Sequence, residues 1–196
     1  MKSCLLCGVG GQGTVLASRI IAAAAMEKGL FARTAETIGM AQRGGSVVSH
    51  VRVGASVPSP LIPNGGADVL LGFEPGEVLR NLRYLKEGGT VITCPETVAP
   101  VTASLGGTAY DGGAILAYLR EHLEKAAVLD TAAIVAACGS PRVVNMALLG
   151  ALAESGEMGL TLSEIETAMA KKIRPRFLDM NKKALELGAK TLSEKR

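Results

Sequence analysis

The sequence predicts an α/β fold: an open, mainly parallel sheet with helices on both faces and a helical extension at the C-terminal end. Three observations carry that prediction. An apolar run, Ser3 to Cys7, leads through a glycine-rich turn directly into a helical pattern. Short apolar runs then alternate with helical patterns as far as Leu129. From Asp130 onward no convincing strand is found, and the helical patterns begin at Val143. Residues 1–196 read as a single domain, with the helical part at residues 140–196.

The composition agrees. A chain of 196 residues, 48% apolar with 24 glycines and 3% aromatics, can bury a core rich in Ala, Val and Leu. The net charge of +3 is mild and the basic residues are dispersed, so nothing points to nucleic acid. No apolar stretch approaches the roughly 18 residues of a membrane span, and Met1-Lys2 runs into a strand instead of a signal-peptide core. The chain therefore reads as cytoplasmic, with no membrane partner. Cys4, Cys7, Cys94 and Cys138 fit a reducing compartment as small buried hydrophobes. Cys4 and Cys7 form a C-x-x-C, but residues three apart in a strand face opposite sides, about 10 Å apart and beyond disulfide reach. His50 and His122 complete no metal-ligand set.

Gly8-Val9-Gly10-Gly11-Gln12-Gly13 follows the first strand, and Thr14 to Met26 is the helix after it. Strand, glycine turn and helix in that order build an anion site, because helix N-terminal amides converge where missing Cβ atoms allow close approach. Gly8, Gly10 and Gly13 also satisfy the dinucleotide spacing G-x-G-x-x-G. Gly29 ends the helix, and Phe31 to Thr37 is a second strand. Glu36 stands near the position from which a dinucleotide fold holds a ribose. The next segment departs from that fold. Ile38 to Gly45 is a polar, glycine-studded loop, and Ser46 to Val53 alternates as a strand, with Val47, Val51 and Val53 on one face and His50 and Arg52 on the other. Two strands joined by a loop replace the expected crossover helix. The fold is thus Rossmann-like without being the standard dinucleotide fold. A free-standing NAD(P)- or nucleotide-binding oxidoreductase is the alternative reading, and a non-enzymatic ligand-binding scaffold is the third.

Pro58, Pro60 and Pro63 with Asn64-Gly65-Gly66 mark an irregular connection. Asp68 to Phe73 is a continuous apolar strand of the kind buried in parallel sheets. Glu74-Pro75 opens a helix running to about Leu85, and Gly88-Gly89 closes it before the strand Thr90 to Cys94. A strand or loop covers Pro100 to Ala103, a helix Gly113 to Lys125, and a strand Ala127 to Leu129. Asp130 and Asn145 read as caps or loop ties. Val143 to Ser155 is an apolar, buried helix. Thr161 and Glu164 form a capping box and Leu160 and Ile165 a hydrophobic staple, so a helix starts there with a core stripe of Leu162, Ile165, Met169 and Ile173. Pro175 separates it from a last helix with Phe177, Met180, Ala184 and Leu187 on one face.

GVGGQGTVLASRIIAAAA, followed by ETIGMAQRGGSVVSHVRVG, resembles the gamma-type subunit or domain of 2-oxoacid:ferredoxin oxidoreductases. MAQRGGSVVSHVR is similar in particular to the small beta subunit of the indolepyruvate branch. VLDTAAIVAACGSPRVVNMALLGAL and IRPRFLDMNKKALELG extend the likeness over essentially the whole chain. The resemblance implies a subunit of an enzyme that oxidises a 2-oxoacid, indolepyruvate or another arylpyruvate, with coenzyme A. Its products are an acyl-CoA and carbon dioxide, and its electrons pass to ferredoxin. The resemblance also implies thiamine diphosphate, Mg2+ and iron–sulfur clusters, carried by a larger partner subunit. This chain has neither a GDG-to-Asn thiamine-Mg segment nor a C-x-x-C-x-x-C run. No cofactor is expected on this chain alone, and alone it is expected to be inactive.

Two loops carry the candidate site. Gly8, Gly10, Gly11 and Gly13 offer backbone amides and a helix N-terminus to a phosphate or carboxylate, and Gln12 adds an amide that both donates and accepts. Met40, Gln42, Arg43, Gly44, Gly45 and Ser46 form the second loop, where a guanidinium and freed amides can clamp an anion bidentately. Both are expected together at the carboxyl edge of the sheet, lining a partner's substrate or coenzyme A entrance or the subunit interface itself. No residue qualifies as a catalytic acid, base or nucleophile, and none as a metal ligand.

Overall fold

In the computed structural model, which describes residues 1–38, 44–100 and 110–194, a six-stranded sheet has the order β2-β3-β1-β4-β5-β6. β1 (Lys2–Val9), β4 (Ala67–Gly72), β5 (Leu85–Thr93) and β6 (Ala126–Val128) run parallel, with Cys4 beside Val69 and Val91 beside Ala126. β3 (Ser46–Gly54) lies antiparallel between β1 and β2 (Phe31–Ile38). β2 therefore runs with the others, and β3 alone opposes them. The sheet is mainly parallel but mixed, and the missing crossover helix is the reason. Only residues 39–45 separate β2 from β3, fewer than the dozen or so that a parallel crossover needs, and the two strands pair antiparallel.

Among the described residues seven α-helices surround the sheet: α1 (Thr14–Glu27), α2 (Pro75–Asn81), α3 (Gly112–His122), α4 (Thr131–Cys138), α5 (Val144–Ser155), α6 (Leu162–Ala170) and α7 (Leu178–Ser193). Side chains alternate across the strands and so divide the core. Cys4, Leu6, Val51, Val69, Leu71 and Ile92 join α1, α5, α6 and α7 on one face. Leu5, Cys7, Leu70 and Val91 join Val78 of α2 and Leu119 of α3 on the other. Cys4 and Cys7 thus belong to opposite cores, as their spacing requires.

α5 is buried nearly all round, and it crosses α7 at unusually close range. A Cβ at Gly150 would collide with the Leu185 carbonyl, and one at Gly188 with the Ala147 carbonyl. Two glycines facing opposite backbones let the helices approach more closely than larger residues permit. α6 begins with the expected capping box: the Thr161 hydroxyl accepts from Glu164 N at 3.3 Å, and the Glu164 carboxylate from Thr161 N at 2.8 Å.

Several boundaries differ from the sequence reading. α2 ends at Asn81, whose side-chain amide donates back to the Glu77 carbonyl at 2.8 Å, and a 3₁₀ turn over Leu82–Tyr84 leads straight into β5. Gly88-Gly89 lies inside that strand and does not close a helix. α4 was not foreseen: Asp130 caps it by accepting from Ala133 N at 3.4 Å, and Gly139 ends it with φ 74°. The buried face of α7 is Asn181, Ala184, Leu185, Gly188, Ala189 and Leu192, whereas Phe177 is exposed. The expected strand or loop at Pro100 to Ala103 lies, after Pro100, outside the described residues. Among the described residues no single helix is long and apolar enough to cross a membrane.

Candidate functional site at the carboxyl edge of the sheet

The glycine turn leaves the end of β1 at the centre of the sheet. Gly8 sits where a Cβ would lie 2.7 Å from Gln12 Oε1. Gly10 donates to the Gly45 carbonyl at 2.8 Å and accepts from Gly44 N at 3.5 Å. The two glycine-rich loops are therefore joined, backbone to backbone, just beyond the Val9–Ser46 rung of the β1–β3 ladder. Gly11 is exposed at the tip of the turn with φ +102°. Met40, Gln42 and Arg43 lie outside the described residues.

Gln12 has a role besides the one its chemistry suggested. Its Oε1 accepts from Val9 N at 2.9 Å and its Nε2 donates to the Phe73 carbonyl at 2.9 Å. One bond at each end of the amide closes the turn and ties it to the end of β4, and Gln12 still lines the cleft beside Asn145 with a second donor and acceptor site to spare. Gly13 is the N-cap of α1 with φ 83°, a left-handed conformation that favours glycine, and α1 has no side-chain cap. A Cβ there would also lie 2.6 Å from Asn145 Nδ2.

Asn145 is the residue the sequence reading undervalued. It is not a cap: it lies in the first turn of α5, only 7% exposed, and its Oδ1 has no hydrogen-bond partner among the described residues. Glu96, just past β5, accepts from the Thr131 hydroxyl through Oε1, while its buried Oε2 likewise has none. Both residues line one cleft of about 370 Å³ with Gly11, Gln12, Gly13 and Arg142. Donors from the α1 N-terminus and Arg142 thus face two unsatisfied acceptors, a combination suited to a ligand with an anionic end and N–H or O–H donors along its length. A larger cleft of about 600 Å³, between the amino-terminal end of β6 and Leu192 of α7, lies away from both loops.

Glu36 and the cysteines, which sequence reasoning weighed for other sites, lie away from the cleft or are buried. Glu36 accepts from the Ser18 hydroxyl at 3.4 Å and faces Arg19 Nε at 3.9 Å. Because β3 separates β2 from β1, Glu36 is two strands away from the turn and cannot serve a ribose there. The cysteines do not converge. Burial, followed by the Glu77 charge, raises the Cys7 thiol well above its usual range, and burial followed by Glu96 does the same to Cys94. Cys4 is also raised, first by burial and then by Asp68. These three thiols are therefore held protonated at neutral pH, in keeping with buried, unreactive cysteines. No group of three His, Cys, Asp or Glu side chains among the described residues is placed to hold a metal.

Fold and site together define a Rossmann-like α/β protein whose central glycine turn is joined to a second glycine loop instead of a dinucleotide crossover. The chain belongs to the pyruvate ferredoxin/flavodoxin oxidoreductase family, whose sequence model matches residues 3–191. It is 39% identical over 182 residues to an indolepyruvate oxidoreductase subunit IorB from Archaeoglobus fulgidus, covering 92% of this chain and 90% of that one. A protein of the same description from Thermococcus kodakarensis is 35% identical, over 97% of this chain and 95% of its own. Among solved structures, the gamma subunit of a keto/oxoacid ferredoxin oxidoreductase from Geobacter sulfurreducens superposes with TM-score 0.72 at 22% identity, covering 99% of both chains. The 2-oxoglutarate:ferredoxin oxidoreductase from Magnetococcus marinus, solved with 2-oxoglutarate, coenzyme A and succinyl-CoA, superposes with TM-score 0.71 at 20% identity. There the likeness covers 98% of this chain and 31% of the longer one.

Proposed function

We propose that the chain is the small subunit of an enzyme that oxidatively decarboxylates a 2-oxoacid, an arylpyruvate such as indolepyruvate, with coenzyme A and ferredoxin. In that reaction the carbon–carbon bond to the carboxylate breaks, a thioester forms, and two electrons leave for ferredoxin. The three buried thiols and the absence of a ligand cluster among the described residues do not fit an iron–sulfur cluster or a thiamine–Mg2+ site. Those groups belong, in this reading, to a larger partner chain.

The contribution of this subunit is to bind and orient. The observation that carries the reading is the Gly10–Gly45 pairing, which gives the family's two glycine-rich segments one common edge beside the Asn145–Glu96 cleft. Parallel α/β folds take ligands at the carboxyl ends of their strands for the same reason, since helix N-termini and loops converge there. Coenzyme A and 2-oxoacids are anions, and coenzyme A also carries amide and hydroxyl donors that suit the two unsatisfied acceptors. Gly8 to Gly13 and Met40 to Ser46 line the substrate or coenzyme A entrance of the assembled enzyme.

The test is Arg43→Ala in the complex reconstituted with the larger chain. Loss of a charged contact worth roughly 1.5 to 3 kcal/mol raises the apparent KM for coenzyme A or oxoacid about tenfold or more. Unchanged kinetics with weakened assembly would assign the loop to the subunit interface instead.

A further inference from the structure

Phe73 to Glu77, between β4 and the first turn of α2, holds the ligand edge from behind. The Phe73 carbonyl accepts from Gln12 Nε2 at 2.9 Å, and Phe73 N donates to the Cys7 carbonyl at 2.8 Å, which fixes the glycine turn. Glu74, 2% exposed, accepts from Glu77 N at 2.9 Å and from the Tyr110 hydroxyl. Glu77 is 1% exposed, and its carboxylate accepts from the Ser46 hydroxyl at 2.5 Å and from Arg80.

A carboxylate this deeply buried is costly, and an apolar side chain would pack α2 against β1 without that cost. Its Oε1 is compensated by Arg80 one turn on, and what its Oε2 adds is a hold on Ser46. Ser46 is itself exposed and stands one residue beyond Gly45, whose carbonyl receives the Gly10 N–H. A continuous line of bonds thus runs from α2 through Glu77, Ser46 and Gly45 to the glycine turn.

We propose that Glu77 is a positioning residue for the ligand edge, holding the Gly44–Ser46 loop, and through it the Gly8–Gly13 turn, in the register the assembled enzyme uses. The proposal rests on the subunit reading above. Glu77 touches no ligand in this account; it acts through Ser46.

The experiment compares Ser46→Ala, Glu77→Ala, Glu77→Gln and the Ser46→Ala/Glu77→Ala double variant in the reconstituted complex, with amide exchange at Gly10 measured in the same proteins. Ser46→Ala and Glu77→Ala each raise the KM for coenzyme A or oxoacid about fivefold to tenfold, with kcat within about twofold. The double variant is no worse than the poorer single one, since both break the same bond. Glu77→Gln keeps an acceptor for Ser46 and stays within about twofold of the parent KM. Gly10 amide exchange accelerates at least about tenfold in Ser46→Ala. Multiplying KM effects, or a fall in Tm with KM and exchange unmoved, would overturn the proposal. If Glu77→Ala does not fold, the exposed Ser46→Ala and the conservative Glu77→Gln carry the test. If the parent chain adds no activity to the larger chain, the subunit reading fails, while Gly10 exchange still decides whether the hold exists.

Discussion

Gly10 donates its N–H to the Gly45 carbonyl at 2.8 Å, although 35 residues separate the two in sequence. That bond extends the β1–β3 ladder past its last rung and makes two glycine loops into one edge. The antiparallel insertion of β3 beside β1 is what allows it, and the same insertion removes Glu36 from any dinucleotide role. One departure from the parallel α/β pattern therefore moves the acidic residue of β2 away from the turn and brings the two glycine loops together.

Gly13 and Asn145 make contact where the turn enters α1. Gly13→Ala places a side chain in a left-handed conformation and against Asn145 Nδ2, for an expected loss of about 2 kcal/mol. Gly13→Ala/Asn145→Ala removes the collision and leaves about 1 kcal/mol of backbone strain beyond the Asn145→Ala loss alone. Urea unfolding of the four proteins checks this, and strictly additive losses would refute the contact.

Three of the four thiols are buried and held protonated. Iodoacetamide at neutral pH therefore labels Cys138 in the native chain, and all four cysteines only after unfolding. Rapid native labelling of Cys4 or Cys7 would revive a redox or metal role for the C-x-x-C.

His50 is buried, its Nδ1 accepts from Ile62 N at 3.1 Å, and burial followed by the Arg52 charge lowers its pKa below the ordinary value of 6.5. The unfolded chain therefore binds more protons as pH falls below that value. The stability tied to neutral His50 is complete above about 6.5 and declines as pH drops toward the lowered folded value. Urea midpoints at pH 7.5 and 5.5 measure it. His50→Gln, which keeps an acceptor for Ile62, shows a smaller loss between the two than the parent does.

The α5–α7 crossing has no room to yield, since each glycine faces backbone of the other helix. Gly150→Val and Gly188→Val each cost more than about 3 kcal/mol, read as a lowered Tm, because overpacking here must push two helices apart.

The sequence made the centre of the sheet legible and its periphery less so. β1, the glycine turn and α1 follow from one local pattern of apolar run, glycines and helical period, and the α6 capping box from four residues. α4 escaped because TAAIVAAC has little amphipathic contrast, and α2 ended early because Asn81 turns back on its own helix. The site divided in the same way. Glycine spacing marked both loops, whereas the Glu96–Asn145 cleft and the Glu77–Ser46 bond join residues 49 and 31 positions apart, which no local pattern records. Gln12 was expected near a ligand or an interface on its chemistry; its bonds to Val9 and Phe73, which hold the turn, join residues that the glycine spacing alone does not connect.

In the proposed function this chain completes a site on a larger one, and reconstitution separates that reading from a self-sufficient enzyme. The measurement is indolepyruvate- and coenzyme A-dependent reduction of a dye acceptor by this chain, by its larger partner, and by the two mixed. Activity is expected only in the mixture, saturating as this chain reaches the partner's concentration. Full activity of the larger chain alone, or reduction by this chain unaided, would contradict it.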